Sequence, residues 1–127
     1  MSDKGFYIGL VDEDGVDGPN RGWLVGSFIE NATRQSDDVE IKYWKFPIGE
    51  TTHDTKASSV IEVTFILSGM VRGEINGRSV KLTAGEYMVI PAGVKNNVPM
   101  MIHEAASGIT IKAPSDNSQK TVIAERK

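Results

Sequence analysis

Few reactive groups are available to this chain. It has no cysteine, which excludes thiolate nucleophiles, thiolate zinc sites and disulfides. Histidine occurs only at His53, in the polar run Thr51-Thr52-His53-Asp54, and at His103, just before Glu104. A histidine in such a polar run reads first as a solvated loop residue. There is no Gly-x-Ser-x-Gly elbow, P-loop, dinucleotide fingerprint or paired zinc-ligand motif. Carboxylate, ammonium and amide chemistry remain. Glu62 with Lys56 could form an acid–base pair, and the same two residues also read as an ordinary structural or solvated pair. Trp23, Tyr43, Trp44 and Phe46 could stack on a sugar or base, or could fill a core. Met100 and Met101 favour an apolar lining.

The elements that must position these groups are extended. Ser58 to Leu67 is rich in β-branched and aromatic residues. Val39 to Phe46 alternates apolar and polar residues with strand period. Val71–Ile75 and Arg78–Leu82 flank Asn76-Gly77, the preferred pair for a two-residue hairpin turn. Tyr87–Ile90 is a further strand, ended by Pro91-Ala92-Gly93. Asn97–Glu104 and Gly108–Lys112 are expected to form a last hairpin. Gly5–Val11 is a candidate strand, Asp12–Arg21 a loop and Gly22–Ile29 a short extended segment. After Pro114 the chain reads as a polar tail in which Val122-Ile123 could dock. No segment has convincing helical periodicity. This is the pattern of an all-β sandwich or barrel.

A chain of 127 residues suits one domain with a real core. Its divisions are an N-terminal arm region over 1–38, a barrel core over 39–112 and a tail over 113–127. The formal net charge is −3, with the two signs interspersed, so no basic footprint for duplex nucleic acid is present. No run approaches the roughly 18 apolar residues of a membrane span, and the N-terminus lacks the pattern of a signal peptide. The expectation is a cytoplasmic protein that engages neither duplex nucleic acid nor membrane.

Two spaced patterns resemble the motifs of the cupins. Glu62 and Gly69 have the spacing that ends the first motif, and Gly85, Pro91 and Gly93 match the second, with Asn96 where a histidine is expected. The Gly22–Gly26 and Ser36–Lys42 segments are similar to those of small metal-free cupins. The resemblance implies a jelly-roll β-barrel of two antiparallel sheets. It places Lys56 and Ser58 at the positions of the family's His-x-His pair, leaving Glu62 as the one typical ligand. A lone carboxylate beside a cation repels rather than holds a divalent ion, so no metal and no other cofactor is expected. A site built from His53 and Glu62 would require a rearranged mouth.

The resemblance also inverts the simple reading of the strand around Glu62. Alternation alone makes Ile61, Val63, Phe65 and Leu67 the core face and leaves Glu62 in water. The cupin reading turns Glu62 inward with Ser58, Val60, Thr64 and Ile66. The apolar stripe then faces out and needs a cover, a packed N-terminal flap or a second copy in a homodimer. With Asn96 inward, strict alternation sends Val98, Met100 and Ile102 inward and His103 outward. Lys42, Lys45, Lys56, Arg72 and Lys95 would flank the barrel mouth. The expected function is binding of a polar or anionic small molecule, such as a metabolite, sugar or nucleotide-type signal. Lys56, Ser58, Glu62 and Asn96 would contact it, with Tyr43 and Met100 as walls. The rival reading is a metal-independent isomerase, epimerase or lyase acting on a sugar or sugar acid, with Glu62 as the candidate catalytic group and Lys56 or Tyr43 as its acid–base partner. A third is an interaction protein that uses the apolar stripe to cap a partner.

Overall fold

A computed structural model describes residues 5–51, 54–115 and 120–124, the last group as backbone only. The described residues form ten strands: β1 (Trp23–Val25), β2 (Glu40–Phe46), β3 (Gly49–Glu50), β4 (Thr55–Ser58), β5 (Ile61–Ile75), β6 (Arg78–Thr83), β7 (Tyr87–Ile90), β8 (Lys95–Asn96), β9 (Met101–Ala113) and β10 (Lys120–Ala124). The ladders between them are antiparallel and continuous in the order β1-β2-β9-β5-β8-β4-β10, with β3 on β9 and β6 and β7 on β5. The sheet curls on itself, giving an all-β jelly roll. Among the described residues no helix is long and apolar enough to cross a membrane.

β5 and β9 are the spine. They pair from Ile61↔Ala113 to Arg72↔Met101, with irregular register between Ile66 and Val71. This corrects the expected hairpin of Asn97–Glu104 and Gly108–Lys112. Met101–Glu104 and Gly108–Lys112 belong to one strand, β9, with Asn97–Met100 ahead of it, because Ala105-Ala106-Ser107 carries no Gly, Pro, Asn or Asp to turn the chain and follows the bend of β5 instead. The bend centres on Gly69, whose φ of +81° suits glycine and whose added Cβ would lie 2.2 Å from the Ala105 carbonyl oxygen. The expected Asn76-Gly77 turn joins β5 to β6, with φ of 52° and 79°.

One end of the barrel is apolar. Trp44, Ile66, Val71, Leu82, Ile102 and Ala106 are buried together, with Phe46, Val80, Met88 and Val98 packed on them. Each such aliphatic side chain contributes about 1.5–3 kcal/mol by leaving water.

The N-terminal expectations change more. Gly5–Leu10 joins no strand. The Asp14 N–H donates to the Leu10 carbonyl at 2.9 Å and draws the chain into a π-helical turn, Asp12–Val16, inside the expected loop. The turn lies over the outer face of β2, where a Cβ on Gly15 would come 3.5 Å from Tyr43 Cβ. In the tail, Val122 does dock: β10 pairs with β4 through Lys120↔Ser58 and Val122↔Lys56.

Candidate functional site

The inner face of the barrel is set by register. β2, β9 and β5 align Glu40, Lys112 and Glu62 on one rung, Lys42, Thr110 and Thr64 on the next, and Trp44, Gly108 and Ile66 on the third. Side chains on one rung point to the same side of a sheet. Glu62 is 5% exposed while its neighbour Ile61 is 43% exposed, so in this stretch of β5 the Glu62 parity faces inward and Ile61, Phe65 and Leu67 face outward. Thr64 and Ile66 are buried with Glu62.

The first rung is a buried row of alternating charge. Lys112 Nζ stands 3.8 Å from Glu40 Oε2, and neither side chain is exposed. Ser115 Oγ donates to Glu40 Oε1 at 2.8 Å and accepts the Ser27 N–H at 3.3 Å. The second rung leads into the aromatic floor. Thr64 and Thr110 share a hydroxyl hydrogen bond of 2.8 Å, and the Trp44 indole N–H donates to Thr110 Oγ1 at 3.2 Å.

Above these rungs opens a cavity of about 290 Å³. Lys42, Trp44, Glu62, Thr64 and Thr110 form one wall, and Asp54, Lys56, Asn96, Asn97, Val98 and Pro99 the other. Arg21 and Trp23 stand at its side, with Lys42 Nζ 5.6 Å from the Trp23 ring centroid. Lys56 reaches this wall because β4 pairs with β8, Lys56 opposite Asn96. Three cationic side chains thus share the cavity with two carboxylates.

Of the six site residues expected from the sequence, Lys56, Glu62 and Asn96 meet at this cavity. Ser58 is buried, but it lies off the lining and its Oγ accepts the Val60 N–H at 3.2 Å. Tyr43 belongs to the other side of the sheet. It alternates with Lys42 and Trp44 on β2 and lines a separate groove with Asp12, Lys45 and Phe46. Met100 also lies off the lining, with its sulfur accepting from Asn97 Nδ2 at 3.4 Å. Strict alternation from Asn96 fails at once: Asn96 and Asn97 are both buried, Asn96 Oδ1 accepting the Val98 N–H and Asn97 Oδ1 the Glu74 N–H. Ile102 is buried and His103 exposed as expected. Lys45, Arg72 and Lys95 are exposed and away from the cavity lining, and His53 lies outside the described residues.

Sequence reasoning missed Glu40, Lys112, Thr110 and Asn97 as inward groups. The signal was available in part: once Glu62 turns inward, its partner Lys112 and then Glu40 must follow.

The donors at the family's metal position do not suit a divalent ion. Lys56 brings an ammonium, the Ser58 hydroxyl and Asn96 Oδ1 already accept backbone N–H groups, and Glu62 is the one anion of the four. Among the described residues no three His, Cys, Asp or Glu side chains gather at one point.

The barrel superposes on solved cupins of several kinds. With the Clostridium difficile EutQ protein the TM-score is 0.51 at 25% sequence identity, over 62% of this chain and 59% of that one. An RmlC-like cupin from Shewanella frigidimarina matches with TM-score 0.56 at 18% identity, over 63% of this chain and 69% of that one. The fold is that of a small cupin. The DMSP lyase DddQ from Ruegeria pomeroyi gives a TM-score of 0.65 at 15% identity, over 78% of this chain and 50% of that one. The chain therefore spans only half to three-fifths of the EutQ and DddQ chains. No family model matches its sequence, and no curated protein matches it.

Proposed function

We propose that this cupin binds a polar or anionic small molecule in its barrel, without the metal common in the family and without catalysing a reaction. The observation that carries the reading is the convergence of Arg21, Lys42 and Lys56 on one cavity floored by Trp44 and the Thr64–Thr110 pair. Cations at the rim attract an anionic group, the indoles of Trp23 and Trp44 offer flat apolar walls, and Asn96, Thr64 and Thr110 offer hydroxyl and amide partners. The cavity of about 290 Å³ suits a metabolite-sized ligand. The donor chemistry at the metal position supports the metal-free part of the reading. The exposed apolar face of β5 and β7 supports a homodimer.

Native mass spectrometry of the protein purified without chelators tests the reading. The expected result is a metal-free dimer that carries or takes up an anionic organic molecule. A stoichiometric transition metal would overturn it and place a metalloenzyme first.

A further inference from the structure

The outer face of the sheet β1-β2-β9-β5-β7 is covered on one half only. Over β2, the π-helical turn covers Tyr43, which is 9% exposed. Over β5 and β7 nothing among the described residues covers Ile61, Phe65, Leu67, Tyr87 and Val89, which are 40–62% exposed, with Phe65 and Tyr87 stacked at 5.6 Å. A second apolar set lies beyond the covered half. In the extended segment before the turn, Phe6 is 74%, Ile8 84% and Leu10 63% exposed, on alternate residues. The intervening Tyr7 is held down, its hydroxyl donating to Asp14 at 2.8 Å and its ring under the Arg34 guanidinium. Arg34 is itself tied to β1 by its Nε–H on the Leu24 carbonyl.

We infer that the two patches cover each other between two copies of the chain: the Phe6–Leu10 arm of one copy lies on the β5–β7 face of the other. This rests on the homodimer reading above and specifies its geometry. Half-exposed side chains of this size each leave on the order of 100 Å² open. The five of the sheet or the arm's alone fall short of the about 800 Å² per partner of a standard interface, while the two sets together reach it.

Register says where the arm lands. Val25 of β1, beside the arm, shares a rung with Ile41, Ile111, Val63 and finally Val89 on β7. A two-fold axis between the facing sheets and parallel to the strands reverses the strand order but keeps the rung. The arm at the β1 edge of one copy then sits over Val89 and Tyr87 of the other. Each covered half meets an uncovered half.

Because the chain has no cysteine, introduced thiols report this contact without background. Ile8→Cys and Val89→Cys are made as separate chains, both at exposed positions, then mixed and treated with a short thiol-to-thiol cross-linker. Light scattering gives the mass of each variant and of the wild type. The expected result is dimers throughout, with the Ile8→Cys/Val89→Cys heterodimer as the dominant linked species. A dimer that links Val89→Cys to itself but not to Ile8→Cys overturns the arm placement and leaves the homodimer standing. A monomeric wild type overturns both.

Discussion

Lys112 and Glu40 face each other across β9 and β2 inside the barrel, Nζ to Oε2 at 3.8 Å, with neither side chain exposed. Glu62 completes the rung from β5. Removing the cation leaves buried carboxylates without it, a change that costs about 3–5 kcal/mol. Lys112→Met is therefore expected to lower the thermal midpoint by on the order of 10 °C or more. Adding Glu40→Gln should recover part of that loss. Thermal unfolding of the two single variants and the double variant checks this, and additive losses would mean that the pair is not coupled.

Why these charges escaped sequence reasoning is a matter of which face is wet. In Glu40-Ile41-Lys42-Tyr43 the polar residues look solvated, and in an ordinary one-sided sheet they would be. Here the interior holds polar chemistry at one end, so the alternation reverses. Only the spacing of Glu62, Gly69, Gly85, Pro91 and Gly93 signalled the reversal, and it fixed Glu62 and Lys56 without reaching across the sheet to Lys112. Tyr43 was misplaced for the same reason: it alternates with Lys42 and goes out when Lys42 goes in. The bend shared by β5 and β9 was not legible, since Ser68-Gly69 and Ala105–Ser107 reveal their pairing only in three dimensions.

The glycines of the two motifs are not equivalent. Gly85 has φ of +91° but open space around its missing side chain, so Gly85→Ala should cost about 1–2 kcal/mol for the left-handed backbone. Gly69→Ala adds a clash with the Ala105 carbonyl to the same backbone strain, and overpacking of this kind costs about 1–3 kcal/mol more. Urea unfolding should rank Gly69→Ala well below Gly85→Ala.

Acid should act locally on the turn between β6 and β7. The Thr83 N–H and hydroxyl both donate to Glu86 Oε1, at 2.7 and 3.1 Å, and hold its carboxyl below the usual glutamate range. A lowered folded-state value means that the contribution is present above the unfolded value and is lost as pH falls through the folded one. Wild type should exceed Glu86→Gln in thermal midpoint at neutral pH, and the gap should close as pH drops below the carboxylate range. A gap that stays constant with pH would show that the carboxylate charge has no part in it.

Ligand affinity separates the cavity from its surroundings. With an anionic ligand found by thermal-shift screening of sugar phosphates, hydroxy acids and nucleotides, Lys56→Gln should weaken binding about tenfold through loss of one charge-assisted hydrogen bond. Added salt should weaken the wild type more than the variant. Tyr43→Phe and Met100→Leu, which lie off the cavity, should bind as wild type. Calorimetry that finds Tyr43→Phe as impaired as Lys56→Gln would move the site to the outer groove.

The metal position can be tested by rebuilding it. The wild type has an ammonium at Lys56, acceptors at Ser58 and Asn96 already engaged by backbone N–H groups, and one carboxylate at Glu62. Restoring imidazoles by Lys56→His, Ser58→His and Asn96→His together removes the repelling cation and supplies the imidazole nitrogens that suit nickel and zinc. Ser58→His also costs the Val60 cap, so folding of the triple variant is checked by circular dichroism first. Titration with nickel or zinc should give one tight equivalent for a folded triple variant and none for the wild type. Tight stoichiometric uptake by the wild type would mean that other groups near Glu62, with Asp54 on the same cavity, supply the ligands that these positions lack.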